Sequence, residues 1–204
     1  MQTLNNLYQR SSYHVHEMQH PAPSDEQLRA ILQAAMSTPD HGHLTPWNFL
    51  VIENAQVASL VELLKQAWLE HDDHVTEAHA NRLASYLSAA PVMVLVSAEV
   101  KPHREISQQD QILSAAAACQ MLLLAADQLG FGGVWYSTDA VELPNARQAL
   151  GLEQNHHPVG FLIFGTPVEA RIKKRRSVDS LVKQWVGEKQ VAEWRSGKTV
   201  EVES

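Results

Sequence analysis

Apolar residues occur along this chain in two patterns, as short continuous runs and as positions at helical spacing. The continuous runs are rich in β-branched and aromatic residues and are too short for typical helices, which predicts strands buried on both faces. These predicted strands are WNFLVI (47–52), VMVLVS (92–97), FGGVWY (131–136) and VGFLIF (159–164).

The helical segments carry start and stop signals. Ser24 and Gln27 form a capping-box pattern, and apolar positions at helical spacing follow them. The residue before Pro39 is pushed out of helical geometry, so this helix is expected to end near Ser37. Further helices are expected over 55–70, 76–88, about 143–150 with Gly151 as its stop, and 178–188, and the terminal sequence TVEVES is expected to form an edge strand.

The segment from Gln108 to Leu129 predicts the most informative helix, which Gly130 ends. Its centre is apolar on every side, so every side must be covered. In a chain of this size, such a helix lies in the core or is shared with a second subunit. The order of elements predicts an α+β fold with a mixed central sheet flanked by helices. Nothing divides the sequence, which predicts a single domain over residues 1–204.

Composition excludes several classes of function. The formal net charge of -7 disfavours a nucleic acid as partner. Cys119 is the single cysteine, so the chain cannot form an intrachain disulfide or a cysteine-rich metal site. No apolar run is long enough to span a bilayer, and the first residues lack the pattern of a signal peptide. We therefore expect a cytoplasmic protein with no membrane partner.

Two histidines stand one residue apart in TPDHGHLTPWNF (38–49), between two prolines. A His-x-His pair can bind zinc when both side chains point the same way, as on a strand. This stretch is a predicted loop, and Asp40 is the only other ligand type close to it. His41 and His43 are therefore open to three interpretations: metal ligands, a proton-relay pair, or surface and capping residues.

Three glycines occur within four residues in GFGGVWYS (130–137). A helix C-cap explains Gly130. Gly132 and Gly133 stand where a strand begins, and glycine is unfavourable in a strand unless something approaches the backbone closely. A tight turn is one explanation, and a flat ligand that accepts hydrogen bonds from backbone amides is the other.

The segments YQRSSYH (8–14) and RIKKRRS (171–177) carry the chemistry of an anion site. Arg10 offers a bidentate guanidinium, and Ser11 and Ser12 offer hydroxyl and amide groups, which together suit a phosphate monoester. A solvated basic face is an equally good explanation of the second segment. If the two segments meet in space, they form a phosphate site on an otherwise acidic protein.

In this order and spacing, the motifs resemble the nitroreductase family of FMN-dependent oxidoreductases, and most of all its small single-domain bacterial NAD(P)H nitroreductases. The resemblance covers nearly the whole chain. It rests on Arg10 to Ser12, MSTPDHGHLTPWNFLVIE, AAAACQMLLLAADQLGFGGVWYS and VGFLIFGTPVE. It implies a nitroreductase-like fold and a homodimer in which the central helix packs against its twin and two FMN sites lie at the subunit interface.

The resemblance also implies which positions contact the ligands. The positions that match the flavin segments are Arg10, Ser11, Ser12, Ser37, His41, Trp135, Tyr136 and Ser137, with the turn of Gly132 and Gly133 behind the last three. His43 and Thr45 lie at neighbouring positions of the flavin loop, and His43 is included in the predicted site. The positions that match the nicotinamide nucleotide are Ala125, Ala126, Asp127, Gln128, Leu129 and Gly130.

The sequence departs from the family pattern in two ways. Ser11 and His14 stand where the family often has arginines. His43 and Thr45 stand where many members carry asparagine and glutamine, which changes the hydrogen bonds available to the flavin. One residue of the basic run is expected to supply the positive charge that the phosphate site lacks at Ser11 and His14, namely Arg171, Lys174, Arg175 or Arg176. Of these, Arg175 is included in the predicted FMN site.

The resemblance implies an enzyme that uses NAD(P)H to reduce nitro compounds, quinones or similar electron-poor acceptors. Hydride would pass through N5 of FMN in a ping-pong scheme that needs no metal and no acid–base side chain. In this interpretation His41 donates to the flavin or packs beside it. Two other classes remain open: a non-catalytic protein that binds or stores FMN, and a metal-dependent hydrolase that uses His41 and His43.

Overall fold

The structure is a computed structural model that describes residues 2–71, 74–171, 173–187 and 190–193. The chain divides into two compact units, Met1–Arg171 and Ile172–Ser204. The expectation of one FMN-binding domain over 1–204 stays a prediction. Every helix in the described ranges is too short or too polar to cross a membrane.

Most helices and strands of the first unit lie close to the predicted positions, although its first helix and its first strand were not predicted. Its helices are α1 (Gln2–Gln9), α2 (Asp25–Ala34), α3 (Asn54–His71), α4 (Glu77–Ser88), α5 (Gln108–Gln128) and α6 (Pro144–Ala149). Its strands are β1 (Met18–Gln19), β2 (Trp47–Glu53), β3 (Val92–Glu99), β4 (Gly132–Tyr136) and β5 (His156–Pro167). The second unit contains an antiparallel hairpin of β6 (Lys183–Gly187) and β7 (Gln190–Glu193).

The strands of the first unit form one sheet around β5. β3 pairs with one edge of β5 and β4 with the other, β2 pairs with the outer edge of β3, and β1 pairs with the end of β5. These ladders are antiparallel, whereas the isolated bridge between Ser12 and Gly133 is parallel. The predicted α+β class is confirmed, and its sheet is mostly antiparallel.

Residues of β3 alternate between two hydrophobic clusters on opposite faces of the sheet. Met93 and Leu95 pack with α3, α4 and α6, and Val94 and Val96 pack with α2 and α5. All four side chains are at most 1% exposed. Because helices cover both faces, the strand shows no polar alternation even though its pairing is antiparallel.

A single chain covers α5 on one side only. Ala118 and Leu122 are fully buried in the cluster between α5 and the sheet. Leu113 is 57% exposed, and Ala117 and Gln120 are exposed on the same side of the helix. These three residues, spaced four and three positions apart, form one row that we call the α5 outer stripe. One chain therefore does not provide the all-round cover that the sequence predicts.

Two predictions about individual elements were wrong. β2 was expected to be buried, but it lies at an edge of the sheet, and Leu50 is 40% exposed. A helix was expected over 178–188, but Asp179–Leu181 form a short 3-10 turn and Lys183–Gly187 form β6. The apolar positions of this stretch fit either period, and Trp185 favours a strand. The sequence TVEVES lies outside the described residues.

Candidate functional site

The segment after α1 lies along the outer edge of β4. Ser12 forms its bridge with Gly133, and the backbone amide of Tyr13 donates to the carbonyl of Gly133 at 3.2 Å. The buried hydroxyl of Ser11 donates to the carbonyl of Arg171 at 3.4 Å. These bonds hold the predicted phosphate segment between the edge of β4 and the chain that follows β5.

Protein side chains fill the space above both glycines of β4. A Cβ atom at Gly132 would lie 2.9 Å from Cδ2 of Tyr13, and one at Gly133 would lie 2.9 Å from Cδ2 of Leu123. Close packing within the protein therefore explains both glycines without a flat ligand. Their assignment to FMN stays a prediction that can involve only their backbone groups.

Two guanidinium groups from distant parts of the sequence meet at Ser12. Nη1 of Arg10 donates to the hydroxyl of Ser12 at 3.4 Å, and Nη1 of Arg171 donates to the carbonyl of Ser12 at 3.2 Å. Arg171 is the first residue of RIKKRRS, so the structure brings that end of the basic segment to YQRSSYH. We call Arg10, Ser12 and Arg171 the cationic clamp. Its donors suit a phosphate group.

A carboxylate also contacts the cationic clamp. Oε2 of Glu17 accepts hydrogen bonds from Nη1 of Arg171 at 2.9 Å and from the amide of His14 at 2.7 Å. The pKa of Glu17 is lowered, chiefly by the amide of His14; burial opposes this effect, and the positive charge of Arg171 adds a smaller lowering. Sequence reasoning missed Glu17, and its one signal was the capping-box spacing from His14.

The C-terminal end of α5 lies beside the same clamp. Nδ2 of Asn6 donates to Oε1 of Gln128 at 3.4 Å. Burial raises the pKa of Asp127, and the positive charge of Arg10 offsets part of that rise. Of the stretch predicted for the nicotinamide nucleotide, Ala126 is buried, so Asp127, Gln128 and the following residues provide its surface. That assignment stays a prediction.

The loop between α2 and β2, residues 39–46, contains three left-handed residues and is called the histidine loop below. The φ angles of Gly42, His43 and Thr45 are 76, 54 and 46°, and this conformation is unfavourable for side chains other than glycine. Oδ2 of Asp40 accepts the amide of Thr45 at 2.6 Å, and Gly42 packs directly on Ile106. The histidine loop is therefore held in a strained but defined shape.

Polar groups surround the histidine loop. The side chains of His41 and His43 are exposed, and the hydroxyl of Ser37 donates to the carbonyl of Ala34 at 2.8 Å. At the two ends of the loop, Oγ1 of Thr38 and Nε1 of Trp47 are buried without a hydrogen-bond partner among the described residues. Backbone strain and unpaired buried polar atoms are both concentrated at functional sites in proteins.

The residues at the end of β4 point in different directions. Nε1 of Trp135 donates to the carbonyl of Val159 at 3.0 Å, and its ring remains partly exposed. Tyr136 packs into the core with its ring centroid 6.1 Å from that of Tyr86, and burial raises its pKa to about 12. Because successive strand residues face opposite sides, the side chain of Tyr136 is a core group. The predicted FMN contacts of Tyr136 and its neighbours Trp135 and Ser137 stay untested predictions.

The histidine loop and the cationic clamp lie at opposite ends of α5. His41 acts electrostatically on Asp110 near the N-terminal end, whereas Arg10 acts on Asp127 near the C-terminal end. At 1.5 Å per residue, these two aspartates are about 25 Å apart along the helix. One chain therefore does not bring the predicted FMN contacts together. Arg10, Ser11 and Ser12 form one group, and Ser37, His41 and His43 form another.

Two further predictions concern Arg175 and a metal. Arg175 belongs to the second unit, and its assignment to the FMN phosphate stays a prediction. In the part of the chain that the structure describes, no three His, Cys, Asp or Glu side chains come together as a metal site requires. Nothing in that part supports the interpretation of His41 and His43 as metal ligands.

The architecture of this chain, a mostly antiparallel sheet between two helical layers, is similar to that of known structures. The chain matches the Nitroreductase family over residues 10–166. A protein of Haemophilus influenzae named "Putative NAD(P)H nitroreductase" is 35% identical over 161 residues, which cover 78% of this chain and 86% of that protein.

Solved structures share the fold. A nitroreductase-like family protein from Bacillus cereus superposes with a TM-score of 0.77 at 22% identity, covering 90% of this chain and 96% of the other. A "putative nitroreductase in complex with FMN" from Desulfovibrio desulfuricans gives a TM-score of 0.68 at 25% identity, covering 91% and 95%. The fold is nitroreductase-like. The chain belongs to the nitroreductase family.

Proposed function

We propose that this protein is an FMN-dependent oxidoreductase that uses NAD(P)H to reduce nitro compounds, quinones or similar electron-poor acceptors. Family membership and the FMN complex of the Desulfovibrio relative support the proposal. The observation that carries it is the cationic clamp, because its donors match the phosphate that anchors FMN. When bound, FMN supplies the hydride chemistry, and the protein binds and orients it.

The cationic clamp suits the phosphate monoester of FMN. An arginine can give a phosphate two parallel N–H donors. Arg171 uses Nη1 for Ser12 and Glu17, and its Nε and Nη2 make no hydrogen bond to the described residues. The exposed hydroxyl of Ser12 adds a further donor. We therefore propose Arg171 as the residue of the basic run that replaces the arginine missing at Ser11.

A second copy of the chain completes the site in this proposal. One FMN molecule cannot contact both ends of α5 in the same chain. In a dimer whose twofold axis is perpendicular to α5, the helix packs antiparallel to its twin, so the N-terminal end of one helix lies beside the C-terminal end of the other. Leu113 and Ala117 of the α5 outer stripe provide apolar surface for this contact. The clamp of one protomer then shares a flavin with the partner's His41.

Each group of residues has its own part in this arrangement. The clamp holds the phosphate, and the histidine loop orients the ring with a backbone that is already fixed before FMN binds. We place the nicotinamide nucleotide at the surface that Asp127 and Gln128 provide beside the clamp. A single buried cysteine suits a reducing cytoplasm, which we propose as the setting.

The visible spectrum of the purified protein tests the proposal. The expected protein is yellow, contains about one FMN per chain as the proposal requires, and oxidises NAD(P)H continuously when a quinone or nitro compound is supplied. Arg10→Gln is expected to weaken FMN binding at least tenfold, roughly the loss of one charged hydrogen bond. Arg29→Gln is the matched control because Arg29 is an exposed arginine on α2.

Other outcomes separate the rival functions. A colourless protein that ignores added FMN contradicts the proposal. A protein that binds FMN but sustains no NAD(P)H oxidation with any acceptor is a flavin-binding or storage protein. A protein that contains zinc and loses a hydrolytic activity with a chelator is a metal-dependent hydrolase.

A further inference from the structure

Glu17 is unexpected in a site that binds a phosphate. A carboxylate repels an anion bound close to it, and Glu17 lies 2.9 Å from the guanidinium of Arg171. Its pKa is lowered, so Glu17 is charged at neutral pH. A second role has to outweigh this repulsion if the clamp is to bind a phosphate well.

The geometry of Arg171 indicates that role. Its Nη1 donates both to the carbonyl of Ser12 and to Oε2 of Glu17, so these two acceptors hold one nitrogen of the planar group. The remaining donors, Nε and Nη2, make no hydrogen bond within the part of the chain that the structure describes, so they can serve another acceptor. An arginine whose side chain is already fixed loses less conformational entropy when it binds an anion.

Glu17 is itself held from two sides. Its Oε2 accepts the amide of His14 at 2.7 Å, and its backbone carbonyl accepts the amide of Val168 at 2.9 Å. The amide of Arg171 donates to the hydroxyl of Tyr13 at 3.2 Å. The turn that carries Glu17 and the chain after β5 that carries Arg171 are thereby joined before any ligand binds.

We propose that Glu17 is a positioning residue for the phosphate of FMN, which acts by holding the guanidinium of Arg171 at Ser12. This role rests on the proposed function, because it assumes that the clamp binds the flavin phosphate. Glu17 does not touch the ligand in this proposal. Its effect passes entirely through Arg171, and it concerns the phosphate rather than the flavin ring.

Two ligands and a double-mutant cycle test this role. The flavin-free protein is titrated with FMN and with riboflavin, which lacks the phosphate, and binding is followed by quenching of flavin fluorescence. The variants are Glu17→Gln, Arg171→Gln and the double variant. Glu17→Gln keeps the shape of the side chain and an acceptor for the amide of His14. Glu142→Gln is the matched control, because Glu142 pairs with Arg147 at 2.7 Å away from the clamp.

Glu17→Gln is expected to weaken FMN binding about five- to tenfold, as for a lost contact to a charged group, and to leave riboflavin binding unchanged. In the Arg171→Gln background it is expected to have no further effect, since coupled residues are not additive. Glu142→Gln is expected to bind both flavins like the wild type.

Three results would overturn the role of Glu17 while leaving the proposed function intact. They are tighter FMN binding by Glu17→Gln, equal changes for FMN and riboflavin, and full additivity with Arg171→Gln. A wild-type protein that binds neither flavin would instead contradict the proposed function, and the role of Glu17 with it.

Discussion

Asp127 carries its charge in an unfavourable place. It lies near the C-terminal end of α5, where the helix dipole is negative. Burial raises its pKa above the ordinary value of 3.8, and Arg10 offsets only part of this rise. When folding raises the pKa of a carboxyl group, the protonated group favours the folded state at pH values below the pKa that it has in the unfolded chain. This stabilisation is lost as pH rises through the pKa that it has in the folded protein.

Asp127→Asn is therefore expected to raise the Tm of the flavin-free protein at pH 7 by only about 1 °C, because solvent screens a side chain that is only partly buried. The difference from the wild type is expected to close below pH 3.8, where Asp127 is neutral in both states. Thermal unfolding between pH 3.5 and 7.5 measures it. A lower Tm at pH 7 would mean that attraction to Arg10 outweighs burial.

At the other end of α5, Asp110 is a control whose pKa is shifted in the opposite direction. Hydrogen bonds from the hydroxyl and amide of Ser107 lower the pKa of Asp110. A lowered pKa stabilises the fold above the unfolded value, and this contribution is lost as pH falls through the folded pKa. Asp110→Asn is thus expected to lower Tm at pH 7, and the two variants together separate burial from hydrogen bonding.

Gly132 connects the packing of β4 to the cationic clamp. In Gly132→Ala the new Cβ would lie 2.9 Å from the ring of Tyr13, next to Ser12 in the chain. Overpacking of this kind is expected to cost about 1–3 kcal/mol in the free energy of unfolding. Because this substitution displaces the segment that carries Ser12, FMN is expected to bind several-fold more weakly. Denaturant unfolding measures the loss of stability, and flavin titration measures the loss of FMN binding.

Gly151→Ala is the control for this substitution. A Cβ at Gly151 would meet nothing within 4 Å, and only its positive φ of 66° disfavours a side chain. It is expected to cost about 1 kcal/mol in stability and to leave FMN binding unchanged. Equal weakening of FMN binding by both variants would show that general destabilisation, and not the position of Tyr13, is responsible.

At the scale of single elements, local signals in the sequence predicted several helix ends correctly. The hydroxyl of Ser24 accepts the amide of Gln27, and the side chain of Gln27 accepts the amide of Ser24, as the capping-box pattern predicts. Gly130 ends α5 with φ at 83°, and the amide of Phe131 donates to the carbonyl of Ala126. Such contacts join residues three to five positions apart, so a short stretch of sequence is enough to predict them.

Properties that depend on neighbouring elements were not predictable in this way. The apolar run of β2 has the same composition as a buried strand, and only its place at the edge of the sheet exposes Leu50. The resemblance assigned Trp135 and Tyr136 to one ligand, whereas the period of the strand sends their side chains to opposite faces. The hydrogen bond from Arg171 to Ser12 joins residues that are far apart in the sequence, and no local pattern predicts it.

At the scale of the whole molecule, the sequence identified both groups of candidate site residues but not their separation. The motifs containing Arg10 and His41 match one family pattern, which says nothing about whether one chain or two supply them. The length of α5 separates the two motifs by about 25 Å, and this separation is the basis for proposing that two chains supply them. The apolar centre of α5 indicated a second chain in another way, since it predicted a helix covered on every side, whereas one chain leaves Leu113 exposed.

In the proposed dimer, the α5 outer stripe links assembly to flavin binding in a way that one substitution can test. Leu113 is 57% exposed in the single chain and is buried against the twin helix in the proposed dimer. Leu113→Glu would bury two carboxylates without partners in that contact, which costs several kcal/mol. We expect the dimer dissociation constant to rise roughly 100-fold or more, as measured by light scattering on a sizing column over a concentration series.

In the proposed dimer each flavin contacts the clamp of one protomer and the histidine loop of its partner, so the same variant is expected to lose FMN together with the dimer. Ala58→Glu adds the same charge at an exposed position on α3, on the other face of the sheet, and is expected to remain dimeric and yellow. A monomeric Leu113→Glu protein that still binds one FMN per chain would show that a single chain holds the whole site. In that case the flavin contacts would not be divided between two subunits, although the cationic clamp and the histidine loop lie at opposite ends of α5.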